Sequence, residues 1–199
     1  MYATVAFIAT VIAVVIGQPP PPACCLANTF TATLSDLQTI NGQNVVVMAV
    51  TLDFPGQREA AISSVFDTVT RQTTTYGRNV FDFAAGKQYY IPESDTTSCT
   101  VSTLNWSNPQ RCVPNDAQYL GSNHLGLPGA LDYDAWRYPF GPGSNATLTM
   151  VFARQGCVPV LEGVAGVLDS PVDKQFLFSG YNPDNIDPAV FTLPAACNQ

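Results

Sequence analysis

Asn145 to Val160 reads NATLTMVFARQGCVPV, and three constraints meet in it. Leu148, Met150 and Phe152 alternate with Thr147, Thr149 and Val151. A period of two in branched and aromatic residues describes a β-strand with one face on a core. Asn145-Ala146-Thr147 is a glycan acceptor, which places the start of the strand at a surface if the chain is secreted. Gly156-Cys157-Val158-Pro159-Val160 then turns the chain and presents a cysteine for a covalent staple. The segment predicts a central strand, solvated at one end and stapled at the other.

The same pattern extends outward in both directions. Downstream, Val158 to Leu168 and Gln175 to Tyr181 read as strands; upstream, so does Leu131 to Tyr138. The clearest is Asn44 to Phe54, whose even-numbered residues Val46, Met48, Val50, Leu52 and Phe54 predict a core face. Phe30, Ala32 and Leu34 mark a strand before it. Pro55-Gly56 turns it into Arg58 to Val65 as a hairpin. Thr68 to Tyr76 is rich in threonine and suits a solvated edge strand. Asn79 to Phe83 and Gln88 to Ile91 form an aromatic hairpin, and Cys99 to Leu104 a short strand. Asn108 to Pro128 is mostly turn formers and reads as irregular. No amphipathic helix of ten or more residues stands out. Many short strands separated by Gly and Pro turns predict a mainly antiparallel all-β sandwich or barrel.

With 199 residues the chain can bury a real core as one domain. Only 12% of its residues are charged and its net charge is -7. This balance lacks the clustered Lys and Arg that nucleic acids or anionic membranes require. Residues 1–17 are uncharged, with an apolar run too short for a bilayer and suited to a signal peptide, although Lys and Arg are missing from its start. Residues 18–23 are a proline-rich extension, and residues 24–199 form the predicted domain. No transmembrane anchor is expected. The six cysteines, Cys24, Cys25, Cys99, Cys112, Cys157 and Cys197, contain no CxxC pair and imply disulfides in an oxidising, extracellular setting. Joining the neighbours Cys24 and Cys25 would be strained, so each is expected to hold a distant partner.

Little points to catalysis. His124 is the only histidine, and neither GxSxG nor HExxH occurs. Ser122 and His124 lie in a Gly- and Asn-rich loop with no orienting acid in view, and a hydrolytic triad needs both that acid and an oxyanion hole. Asp132 and Asp134, two apart on a strand, would share a face and offer oxygens to calcium, although calcium takes about six to eight ligands. Asn105-Trp106-Ser107 is the second glycan acceptor, so Asn105 and Asn145 are the expected glycosylation sites.

With these elements in place the chain resembles the ependymin-related family of secreted glycoproteins. Gly156-Cys157-Val158-Pro159-Val160 is similar to that family's Cys-x-Pro-Val motif. Ile186 to Cys197, IDPAVFTLPAAC, resembles its Asp-Pro-x-x-Phe-x-x-Pro-x-x-Cys ending. Asp53, Gln57 and Arg58 fall where its early hairpin carries an Asp and a Gln-Arg. Fainter similarities are Pro114, Asp116-Ala117, Gly121-Ser122 and Trp136. The resemblance implies two curved antiparallel sheets stacked around an apolar pocket, as in bacterial lipoprotein carriers. It also implies homodimers, glycosylation, calcium association and a role in matrix adhesion. For the cysteines it implies Cys99 with Cys197 and one of Cys24 or Cys25 with Cys157, leaving Cys112 for the other member of the vicinal pair. One family cysteine between Ser64 and Tyr76 and one beyond Cys197 are absent, while Cys112 and the doubled Cys24-Cys25 are extra.

The functional expectation is a secreted, non-enzymatic binder of an apolar, lipid-like molecule. Val50, Leu52, Met150 and Phe152 are assigned to its lining, with further apolar walls, mostly aromatic, from Phe81, Phe83, Tyr89, Ile91, Phe176 and Phe178. Flexible thioethers such as Met48 and Met150 suit irregular cargo. The same faces would also serve a dry sandwich core about 10 Å thick. The alternative function is a calcium-binding matrix or adhesion glycoprotein without small-molecule cargo.

Overall fold

The structure, a computed structural model, describes residues 20–39, 42–141, 145–168 and 170–198. The leader read at residues 1–17, and the first two residues of the proline-rich segment, lie outside the described residues. Eleven strands follow in chain order: β1 (Thr29–Asp36), β2 (Asn44–Asp53), β3 (Arg58–Asp67), β4 (Thr73–Asp82), β5 (Lys87–Pro92), β6 (Thr100–Thr103), β7 (Gln118–Leu125), β8 (Leu131–Pro139), β9 (Asn145–Ala153), β10 (Val158–Val167) and β11 (Pro171–Pro183). Two 3-10 turns, η1 (Pro188–Phe191) and η2 (Ala195–Asn198), end the described chain.

All eleven strands belong to one antiparallel sheet in the order β6-β5-β4-β3-β2-β1-β11-β10-β9-β8-β7. The protein is all-β, but its ladder is continuous, not divided into two stacked sheets. The reason lies at β1, which pairs with β2 on one side and β11 on the other and so joins the two halves. The sheet is strongly curved. From β4 to β8 there are seven strand steps, which in a flat sheet would span roughly 34 Å at ~4.8 Å each. Yet Phe81 on β4 and Phe140 just after β8 both touch one side chain, Trp106, with ring centroids 5.1 Å and 5.9 Å apart. Register shifts between Thr31 and Thr33, between Ser63 and Ser64 and between Pro159 and Leu161 accompany this bending, as bulges increase local twist.

Two segments depart from the sequence reading. Thr68 to Tyr76 divides into a turn and the start of β4, which runs through Gly77 as an interior strand between β3 and β5. Gly77 permits this, since a Cβ there would lie 2.5 Å from the Ile91 carbonyl oxygen. Gln118 to Leu125, read as irregular, is the edge strand β7, held by pairing with β8 alone. Its turn-forming residues carry little strand propensity, and the partner supplies what they lack.

Alternation sorts the side chains onto two faces. On the concave side Phe30, Ala32, Leu34, Val50, Leu52, Leu148, Met150 and Phe152 form the larger core. On the convex side Ala60, Val80, Tyr89 and Ile91 pack against Phe191 and Cys197 of the C-terminal segment. Asp53 organises this docking. Its carboxylate accepts from the backbone amide of Gly56 at 2.9 Å and from Arg58 Nε at 2.8 Å, and the Arg58 guanidinium lies 4.2 Å from the centroid of Phe191. Arg78 donates to the carbonyls of Val190 and Thr192 at 2.9 and 2.8 Å. Disulfides join Cys99 to Cys197, Cys24 to Cys157 and Cys25 to Cys112.

Candidate functional site: an apolar cavity with two carboxyl groups

Curvature gives the concave face a cavity of about 230 Å³. It is lined by Phe30 and Leu34 of β1, Met48, Val50 and Leu52 of β2, Leu148 and Met150 of β9, and Phe176 and Phe178 of β11, with Phe178 the cross-strand neighbour of Leu34. Trp106, Pro109 and Gln110, from the connection between β6 and β7, bridge the two arms of the sheet. Trp106 packs on Phe81, Phe83 and Phe140 together, so the middle residue of the glycan acceptor points inward while Asn105 is exposed. Asn145 is exposed as well.

Of the four residues assigned to the lining, Val50, Leu52 and Met150 face the cavity. Phe152 does not. It is among the most deeply buried side chains and sits one repeat nearer the end of β9, where the following turn leads to Cys157. Phe81, Phe176 and Phe178 contribute to the walls, and Phe83 supports Trp106. Tyr89 and Ile91 belong to the convex core instead, because β5 pairs Tyr89 with Val80 and so sets it on the opposite face from Phe81.

The sequence reading missed the polar groups of this cavity. Glu59 of β3 and Glu162 of β10 both line it. Each keeps part of its surface against the cavity, and neither carboxyl group makes a hydrogen bond or ion pair with the described residues. Burial pushes the Glu59 carboxyl up to about 8, with the nearby charge of Glu162 adding to the effect. Burial likewise pushes Glu162 up to about 7. The Tyr138 hydroxyl is raised by burial and then by Glu162. The usable signal was parity: Glu59 shares its strand face with Ala61 and Ser63, an acid in a small-residue stripe. Which way that face points depends on the bend of the sheet.

Asp132 and Asp134 lie elsewhere, on β8. Arg154 Nη2 is 3.1 Å from Asp134 Oδ1, and Ser122 donates to the same carboxylate. Burial by itself would raise Asp134, but the bonds from Arg154 and Ser122 outweigh it and hold the carboxyl below its ordinary range. The guanidinium thus engages both oxygens of Asp134. Among the described residues no group of three or more His, Cys, Asp or Glu side chains is arranged to hold a metal. Ser122 bonds to Asp134 and Tyr119, and the His124 side chain is exposed.

Fold and site together define an all-β protein whose curved antiparallel sheet encloses an apolar cavity. The sequence model of the ependymin family matches residues 71–197, well over half of the 199 residues, and the chain belongs to that family. No curated protein matches it. Among solved structures it is similar to an uncharacterized conserved protein from Thermus thermophilus, with 9% identity over 82% of this chain and 83% of that one and a TM-score of 0.48. A LolA superfamily protein from Nitrosomonas europaea is similar at 6% identity over 83% and 90%, with a TM-score of 0.38. Among the described residues no helix is long and apolar enough to cross a membrane.

Proposed function

We propose that this chain is a secreted, non-enzymatic glycoprotein that holds an apolar, lipid-like molecule in the cavity of its curved sheet. In this reading residues 1–17 are a cleaved leader and residues 24–199 the folded unit. The supporting observation is the lining itself. Aliphatic and aromatic side chains from both arms of the sheet converge on one cavity, with a few polar groups among them, which is the usual make-up of small-molecule sites. Three disulfides among six cysteines accord with an oxidising compartment. The exposure of Asn105 and Asn145 accords with glycans at both acceptors.

The test is native mass spectrometry and organic extraction of the secreted protein, followed by titration with a neutral fluorescent apolar probe. Bound apolar adducts and saturable probe binding are expected. Absence of both would refute the carrier reading. Glycosidase treatment should lower the mass of the secreted chain, and site mapping should place the glycans on Asn105 and Asn145.

A further inference from the structure

The cavity is chemically one-sided. Its two ionisable acids are Glu59 and Glu162, and among the described residues no Lys, Arg or His lines it. Phe30, Phe81, Trp106, Tyr138, Phe140 and Phe176 present ring surfaces to the same space. The neighbouring cations are engaged elsewhere. Arg58, next to Glu59 in sequence, faces the convex side with Asp53 and Phe191. Arg78 of β4 donates to the C-terminal segment. Lys174, on the same face of β11 as Phe176, is paired with Asp36 at 2.7 Å.

We propose that the ligand is a cationic amphiphile, an apolar molecule carrying a protonated amine, whose ammonium group sits between Glu59 and Glu162 with its chain along the aromatic and aliphatic walls. This rests on the carrier reading above and narrows it. Three physical reasons converge. An ammonium donates to the oxygens of two carboxyl groups that no other described side chain engages, and charge-assisted hydrogen bonds, here to the ionised Glu162, are the strong ones. Aromatic faces attract cations, more so when desolvated. A fatty-acid carboxylate or a phosphate would instead bring a like charge beside Glu162, which is mainly ionised at about pH 7.5, with no cationic side chain among the described lining residues to offset it, the arrangement that rejects wrong ligands. Tyr138 lines the same cavity.

The experiment uses the full secreted chain at about pH 7.5, with laurylamine, lauryl alcohol and laurate competing against a neutral fluorescent probe. Laurylamine is expected to bind about tenfold or more tightly than the alcohol, and laurate more weakly than either. In the E59Q/E162Q double variant the amine-to-alcohol ratio should fall toward one. In the unaltered protein the ratio should also shrink at about pH 5.5, where both carboxyl groups hold their protons, so the idea stays testable if the variant misfolds. Laurate binding as well as laurylamine, or a ratio indifferent to both the substitutions and pH, overturns the cationic assignment while leaving the carrier reading in place. No binding of probe or any competitor overturns both.

Discussion

The paired acids make a prediction about stability that needs no ligand. Glu59 and Glu162 hold their protons in the folded state to about pH 8 and about pH 7, whereas in the unfolded chain each ionises near its ordinary value of 4.5. Between those limits the folded protein binds more protons than the unfolded chain, so raising the pH favours unfolding. The stability is fully present below about pH 4.5 and is lost progressively up to about pH 8. At about 1.4 kcal/mol per pH step for a fully displaced proton, going from about pH 5.5 to about pH 7.5 should cost on the order of 2 kcal/mol for each carboxyl. This window avoids the isoelectric region near 4.3. It also lies above the titration of Asp67, Asp95 and Asp134, whose carboxyls are all held low by hydrogen bonds and contribute no slope there. Urea denaturation at several pH values, with the disulfides intact, should give a midpoint that falls as pH rises. In E59Q/E162Q the slope should flatten, and stability at about pH 7.5 should increase. A midpoint that is constant or rises with pH in the unaltered protein, or a slope that survives in the double variant, would refute the placement of these two acids.

Three further outcomes are expected. Phe152→Ala should cost about 3 to 5 kcal/mol in chemical denaturation with probe binding retained, because Phe152 is core, not lining; Ala61→Phe should instead fill the cavity and abolish probe binding. Removing the Cys99–Cys197 bridge by paired serine substitution opens a connection of 98 residues and should cost on the order of 4 to 5 kcal/mol on chain-entropy grounds, with proteolysis beginning in the C-terminal segment; non-reducing peptide mapping of the unaltered protein should recover that linked pair. Millimolar calcium should leave the melting temperature unchanged, since Arg154 already engages both oxygens of Asp134; a concentration-dependent rise would mean that an ordered site exists.

The sequence by itself was sufficient for the parts governed by short-range periodicity. Alternation in Asn44 to Phe54 and in Asn145 to Arg154 located two strands to within a residue and sorted their side chains onto two faces, because successive side chains on a strand point to opposite sides whatever the rest of the fold does; it did not show that Thr51 and Asp53, on the other face of the first strand, are buried too. Val50, Leu52 and Met150 could therefore be assigned to an inward face before the cavity was known. Phe152 shares their alternation but not their surroundings, since period-two reasoning says nothing about distance along the strand. The edge strand β7 was illegible for a different reason: Gly121, Ser122 and Asn123 have turn propensities, and β8 holds them extended through its ladder. The meeting of Glu59 and Glu162 was decided by tertiary structure alone. They stand on β3 and β10, four strand steps apart, and would be separated by roughly 19 Å in a flat sheet. Only the accumulated twist and bulging of a continuous sheet brings two ordinary acids into one apolar cavity close enough to sense each other's charge, and that curvature is the sum of small distortions spread over many strands.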